Sequence, residues 1–243
     1  MRMRPTHLFK LPQPIVTPPA SLVPYASIHP DSPHLKVRFG QITFDAEGRE
    51  SRGSLFSRVM HWPGGASGVT IGRGYDMGSR TRLQVISELT YAGMSPNDAA
   101  FYGDAAGLRG ESAARFVRSH VGGSPILSLP TQRKLFEEVT ATETLADVRR
   151  ILAKPDLQSK YGIVTWEGLS SYAQEILFDL RYRGDYTPET RTRIQPLLVS
   201  GNDAALQAVM NDVPYWSRLG VPAERIRERA ALPHREEMAR QAG

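Results

Sequence analysis

The sequence predicts an α+β fold in which a small glycine-rich lobe carrying a little β structure precedes a larger all-helical lobe. Three observations lead to it. Residues 64–78, GGASGVTIGRGYDMG, hold six glycines around one short β-branched run, which rules out a long helix there. From Ser79 onward, apolar residues recur at helical spacing between helix-start signals. Residues 1–33 hold eight of the 18 prolines, so this stretch lacks backbone donors for helix or sheet and favours extended conformations.

In chain order, residues 1–34 read as a proline-rich arm or linker packing on a domain surface, or as a docking segment for a delivery partner. The domain proper is expected over 35–243. In LKVRFGQITF, residues 35–44, Leu35, Val37 and Phe39 alternate, and Ile42 and Phe44 follow after Gly40. Two short strands or an extended entry fit this pattern. A short strand is expected over 69–71, between turns. Leu83, Ile86 and Leu89 open the helical part. Ser95-Pro96-Asn97-Asp98 is a helix start, with Ser95 as cap. Residues 131–152 carry one long helix or two broken ones. Tyr172, Ile176, Leu177 and Leu180 mark another, ending at Gly184, and further starts fall at Thr187-Pro188-Glu189, Asn202-Asp203 and Val221-Pro222. About seven helices result, and a cleft between the two lobes is the expected place for a ligand.

Bulk properties narrow the function. The chain of 243 residues, 40% hydrophobic and 23% charged, suits one large soluble domain or a domain with an appendage. With no cysteine, disulfides and thiolate metal sites are excluded. The net charge of +5 attracts polyanions: nucleic acid, anionic membranes or the bacterial wall. No stretch approaches a membrane span of about 20 apolar residues. Pro12, Pro14, Pro18 and Pro19 interrupt the N-terminus, making it a poor secretory signal. The six histidines show no ligand pairing, there is no phosphate-binding loop, and Ser67 lacks a nucleophile-elbow context. No metal and no cofactor is expected.

What remains is carboxylates. FDAEGRE carries Asp45, Glu47 and Glu50, and the next acid is Asp76, across the glycine-rich segment. Glycoside hydrolysis needs two carboxyl groups flanking one bond, one donating a proton and the other activating water or stabilising the cation. Acids beside glycines are also common as turn residues.

Glu47-Gly48 followed by Thr70-Ile71-Gly72-Arg73-Gly74 resembles the EG…TIGxG signature of phage lysozymes. In that family the glutamate is the general acid and the threonine helps hold the attacking water. An aspartate stands between them, but here residues 48–69 contain none. The chain is more similar to the catalytic domains of pesticin-type bacterial toxins, which are built on the phage-lysozyme fold. Their order is glutamate, threonine, then aspartate six residues later, matched by Glu47, Thr70 and Asp76 at intervals of 23 and six. HWPGGASGVTIGRGYDMG is the most specific piece, QEILFDLRYRGDYTPE also fits, and the similarity covers roughly 40–240.

The resemblance implies a lysozyme-like fold and a muramidase cleaving the β-1,4 bond between N-acetylmuramic acid and N-acetylglucosamine. Glu47 then protonates the leaving oxygen, and Asp76 with Thr70 positions or activates the water. The phage pattern would make Glu50 the second carboxylate; the toxin pattern makes it Asp76. Arg73 and Tyr75 are candidate sugar contacts, or else a solvated charge and a packed aromatic. Trp62 is a candidate stacking edge or a core residue. Arg181 is a candidate for the far wall of the cleft, or a charge favoured at a helix C-terminus. Arg225, Arg227 and Arg229 are expected solvated or paired.

The implied partners are peptidoglycan strands, with a cognate immunity protein and a secretion-machine component, such as that of a type VI system, for an effector acting in a competitor's periplasm. No nucleic acid and no membrane insertion is expected. A phage endolysin shares the chemistry. A non-catalytic wall-binding module is the rival from another class, and a nucleic-acid binder rests on charge alone.

Overall fold

Gly40, at φ 78°, turns the chain into a short helix, α1 (Gln41–Ala46), which buries Ile42, Thr43 and Phe44 in succession. The computed structural model describes residues 32–50 and 56–242. Of the two alternatives over 35–44, the two strands are not formed; residues 36–40 enter without regular structure and 41–46 are helical. Pro33–Leu35 is a single 3-10 turn and α1 follows. The alternation of Leu35, Val37 and Phe39 misled because Phe39 is fixed by aromatic contacts, edge-on to Trp166 and Phe178 at 5.5 and 5.0 Å. The arm expected over 1–34 lies almost wholly outside the described residues; its last turn is held where Arg133 donates to the Pro33 carbonyl at 3.2 Å.

Among the described residues the fold is mostly helical, with one small antiparallel sheet. The chain falls into two units: Glu47–Glu138 with the described residues up to Leu35, and Lys36–Ala46 with Val139–Gly243. The sequence placed the change of character at Ser79, but the helices that follow do not group together. Four of them belong with the glycine-rich segment.

In the first unit, β1 (Thr70–Ile71) and β2 (Tyr75–Asp76) pair with Thr70 opposite Asp76 and Ile71 opposite Tyr75. Gly72 and Gly74, at φ 62° and 90°, allow the three-residue connection. Next comes α2 (Arg82–Ala92), opened by a capping box between Thr81 and Gln84. In α3 (Pro96–Gly103), the Ser95 hydroxyl accepts from the Asp98 amide at 3.1 Å, as its sequence signature implied. Then follow α4 (Glu111–Ser119) and α5 (Leu129–Leu135), the latter capped by Ser128. Val69, Ile71, Tyr75, Met77, Val85, Leu89, Tyr102 and Leu127 form the buried core. The chain leaves through a π-helical turn, Phe136–Thr140.

The second unit adds α6 (Ala141–Leu152), α7 (Pro155–Tyr161), α8 (Ser171–Arg183), α9 (Pro188–Ser200), α10 (Asp203–Met210), α11 (Val213–Arg218) and α12 (Ala223–Ala242). Its centre is α8, which packs against α1, α6, α10 and α12 and buries Tyr172, Ala173 and every residue from Ile176 to Leu180. Five consecutive buried residues cover more than one full turn, so this stretch of α8 is enclosed on every side, with Asp179 among them. Sequence reading missed α4, α7 and α11. No side chain caps α4 or α7; α11 does carry a local signal, with the Asp212 carboxylate accepting from the Tyr215 amide at 3.1 Å and Pro214 in its first turn, but its six residues are too few to show a period. Among the described residues no helix is long and apolar enough to cross a membrane.

Candidate active site

The candidate residues of the first unit collect around the hairpin. Thr70 is buried, and its backbone exchanges hydrogen bonds with His61, donating at 2.8 Å and accepting at 2.9 Å. Its hydroxyl lies 3.4 Å from the Gly68 carbonyl. Asp76, directly across the ladder, is half-buried. One of its carboxylate oxygens accepts from the Gly78 amide at 2.6 Å and the other from the Gly68 amide at 3.1 Å. The two glycines are pressed together around it: a Cβ on Gly68 would lie 2.3 Å from the Gly78 nitrogen and 2.4 Å from the carboxylate.

Glu47 is half-buried in the turn that directly follows α1. The next residue, Gly48, is closely surrounded; a Cβ there would lie 2.4 Å from the Cβ of Ser57 and 3.1 Å from Cδ of Arg73. Arg73, at the tip of the hairpin, donates through Nη1 to the Gly48 carbonyl and through Nη2 to Glu50 at 2.8 Å. The structure thus ties the Glu47–Gly48 turn to the loop between Thr70 and Asp76.

Glu50, the alternative second carboxylate, is enclosed. Besides Arg73 it takes a hydrogen bond from Gln132 at 2.7 Å and one from the Ser57 hydroxyl at 3.3 Å, and it pairs with Arg58 at 2.9 Å. Arg73 does not extend into solvent as a sugar contact would; it is 4% exposed. Tyr75 is also buried. Its hydroxyl donates to Glu88 at 2.6 Å, and the Arg80 guanidinium lies 4.3 Å from the centre of its ring. Of the two alternatives for Tyr75, the packed aromatic is what the fold contains. Trp62 is half-buried, with its indole N–H donating to the Ser67 carbonyl at 3.2 Å.

Residues 40–230 match the family described as Domain of unknown function (DUF8812). The chain belongs to this family. The DUF8812 region opens at Gly40, the residue that starts α1, and takes in Glu47, Thr70 and Asp76. No curated protein matches the chain.

The remaining candidates of this DUF8812 domain lie in its second unit. Arg181 is held by Asp147, which also receives Arg150. Burial pushes the Asp147 carboxyl up, but the hydrogen bonds from Arg150 and Arg181 outweigh it and hold it below its ordinary value. Glu143, Asp147, Arg181 and Arg183 border a pocket of about 280 Å³. Deeper in, Asp179 is fully buried. It receives Arg225 at 2.6 Å, Arg229 at 2.7 Å and the Thr43 hydroxyl at 2.8 Å, and Arg229 also reaches Asp185 at 2.7 Å. Arg225 and Arg229 are therefore paired inside the fold. Among the described residues no group of three or more His, Asp or Glu is placed to hold a metal ion.

Sequence reasoning missed Gln132 and Arg58 as partners of Glu50, and Asp179 as the partner of the last helix. The Gln132–Glu50 contact spans 82 residues and leaves no local pattern. Arg73 did carry a signal: an arginine between two glycines that both adopt positive φ sits in a tight turn, where its side chain can fold back.

Proposed function

We propose that the chain is a muramidase that hydrolyses the β-1,4 bond between N-acetylmuramic acid and N-acetylglucosamine in peptidoglycan, on a lysozyme-like fold. Two things support it: the likeness of Glu47, Thr70 and Asp76 to the catalytic order of pesticin-type toxins, and the geometry around them. The observation that carries it is the hairpin register. A hydroxyl and a carboxyl stand opposite each other, and the loop joining their strands is bonded to the residue after Glu47. Directly opposed side chains on an antiparallel pair are about 5 Å apart at Cβ, close enough to share one water.

In this reading Glu47 gives its proton to the glycosidic oxygen as the bond to the anomeric carbon breaks. Asp76 draws a proton from the water that attacks that carbon, while the Thr70 hydroxyl orients the water. The substrate class implies action in a periplasm or cell wall. An antibacterial effector with a cognate immunity protein fits it, as does a phage endolysin. The test is direct. The purified protein is incubated with isolated peptidoglycan, and soluble muropeptides with new reducing ends are expected. Free stem peptides, or no soluble product, would exclude a muramidase.

One observation favours a second reading, a wall-binding module without catalysis. Both oxygens of Asp76 already accept backbone N–H groups, so the residue has a structural use. Such a module would sediment with insoluble wall, release nothing, and bind equally well as Glu47→Gln.

A further inference from the structure

We propose that Arg73, anchored by Glu50, is a positioning residue for the Glu47–Gly48 turn. The consequence for rate rests on the muramidase reading; the clamp itself rests on geometry alone.

The contacts form a continuous chain from α5 to the carbonyl of Gly48. Gln132 on α5, Ser57 and Arg58 hold the Glu50 carboxylate. That carboxylate holds one arm of the Arg73 guanidinium, and the other arm holds the carbonyl of Gly48. Gly48 has no room to slide, because Ser57 and the stem of Arg73 occupy the space beside its α-carbon. Glu47 is thus joined to a residue that is fixed on two sides.

Stability alone does not account for a charged pair here. The side chains of Arg73 and Glu50 are only 3% and 10% exposed. Stripping such ions of water is costly, and an apolar pair of the same volume is often as stable or more so. An apolar pair, however, would leave the Gly48 carbonyl without a donor. A planar guanidinium reaches a carboxylate and a carbonyl at once in a fixed geometry, which an ammonium on a flexible stem does not do. A general acid displaced by about an ångström loses up to about a hundredfold in rate.

The test uses the full chain and the variants Arg73→Lys, Arg73→Gln and Glu50→Gln, with Glu47→Gln as the inactive reference. Peptidoglycan hydrolysis, thermal melting and the 13C resonance of the Gly48 carbonyl are measured. That resonance senses loss of a charge-assisted hydrogen bond whether or not the protein is an enzyme. Arg73→Lys keeps a charge for Glu50 and is expected to stay folded. Its kcat should fall roughly ten- to a hundredfold with KM within about twofold, and the Gly48 carbonyl should move upfield. Arg73→Gln and Glu50→Gln should show the same carbonyl shift with a lower melting temperature. A folded Arg73→Lys with wild-type kcat and an unmoved Gly48 resonance would overturn the proposal. If the wild type releases no muropeptides, the muramidase reading fails, and the resonance alone decides the clamp: moved supports it, unmoved overturns it.

Discussion

Thr70 faces Asp76 across a two-residue antiparallel pair, and the two are fixed by different means. Thr70 is set through its backbone, which is bonded to His61; Asp76 is set through its carboxylate, which is bonded to Gly68 and Gly78. The opposition is therefore set by the fold itself. In the proposed hydrolysis, preorganisation of this kind would lower the reorganisation needed during the reaction.

The first prediction concerns that pair and Glu47. Glu47→Gln and Asp76→Asn should each slow wall hydrolysis at least about a hundredfold, the lower scale for a lost acid–base group. Thr70→Ala should fall between these and wild type. Asp76→Asn carries a second effect: an amide cannot accept from both glycine N–H groups, so one faces an NH2. That should lower unfolding stability by about 1–3 kcal/mol, while Glu47→Gln should melt like wild type. Rates and urea melts on the same preparations check this. An active, folded Asp76→Asn would remove Asp76 from the mechanism.

A second prediction isolates the structural use of the glycines. Gly68→Ala brings a Cβ within 2.4 Å of the Asp76 carboxylate and 2.3 Å of the Gly78 nitrogen. Backbone cannot step aside as a flexible side chain can. The loss of stability should reach about 1–3 kcal/mol or more, the scale of an overpacked core. Gly65→Ala meets no atom within 4 Å, but its φ of 58° still strains the new side chain, so it should cost only about 1–2 kcal/mol. Gly68 itself does not adopt a positive φ, so a loss no larger than that of Gly65→Ala would show that the crowding around Gly68 is relieved by a small local shift.

Much of this arrangement was legible in the sequence, and the limits are physical. The strand at Thr70–Ile71 and the Ser95, Thr187 and Asn202 helix starts were readable because turn and cap chemistry is local. The stretch after Gly40 was misread as extended because the helical burial of Ile42, Thr43 and Phe44 in succession comes from packing against α8, more than 120 residues away. The same holds for the site. Glu47, Thr70 and Asp76 were marked out by spacing and resemblance. The roles of Arg73 and Glu50 were not, because Gln132, Ser57 and Arg58 decide them.

The third prediction follows from the proposed substrate. Peptidoglycan lies outside the cytoplasm, so expression there should be tolerated. Fusion to an export signal should cause lysis that Glu47→Gln abolishes. Growth curves and microscopy of cells making the protein with and without the export signal check it. Equal toxicity in the two compartments would point to a cytoplasmic target instead.

The last prediction is the pH dependence of stability that Asp179 confers. Burial alone would push its carboxyl up, but Arg229 and Arg225 outweigh burial and hold it below its ordinary 3.8. The folded value therefore lies below the unfolded one. Between the two values the unfolded chain binds more protons than the native chain, so stability rises with pH across that window. The contribution is complete above the unfolded value and is lost as pH falls through the folded one. Asp179→Asn removes the carboxylate that the buried Arg225 and Arg229 share, while Asp185 still pairs with Arg229. It should cost about 3–5 kcal/mol at neutral pH, the scale of a broken buried pair. It should also flatten the loss of stability between about pH 5 and pH 3. Asp147 and Asp212 are likewise held low by arginines, so the wild type has other sources of acid sensitivity, and the difference between the two profiles isolates Asp179. Thr43→Val removes one donor and leaves the charges. It should cost about 1 kcal/mol and keep the wild-type profile. Urea melts of the three proteins at pH 7, 5, 4 and 3 measure this. Parallel profiles for wild type and Asp179→Asn would show that the buried carboxylate does not set the acid limit of the fold.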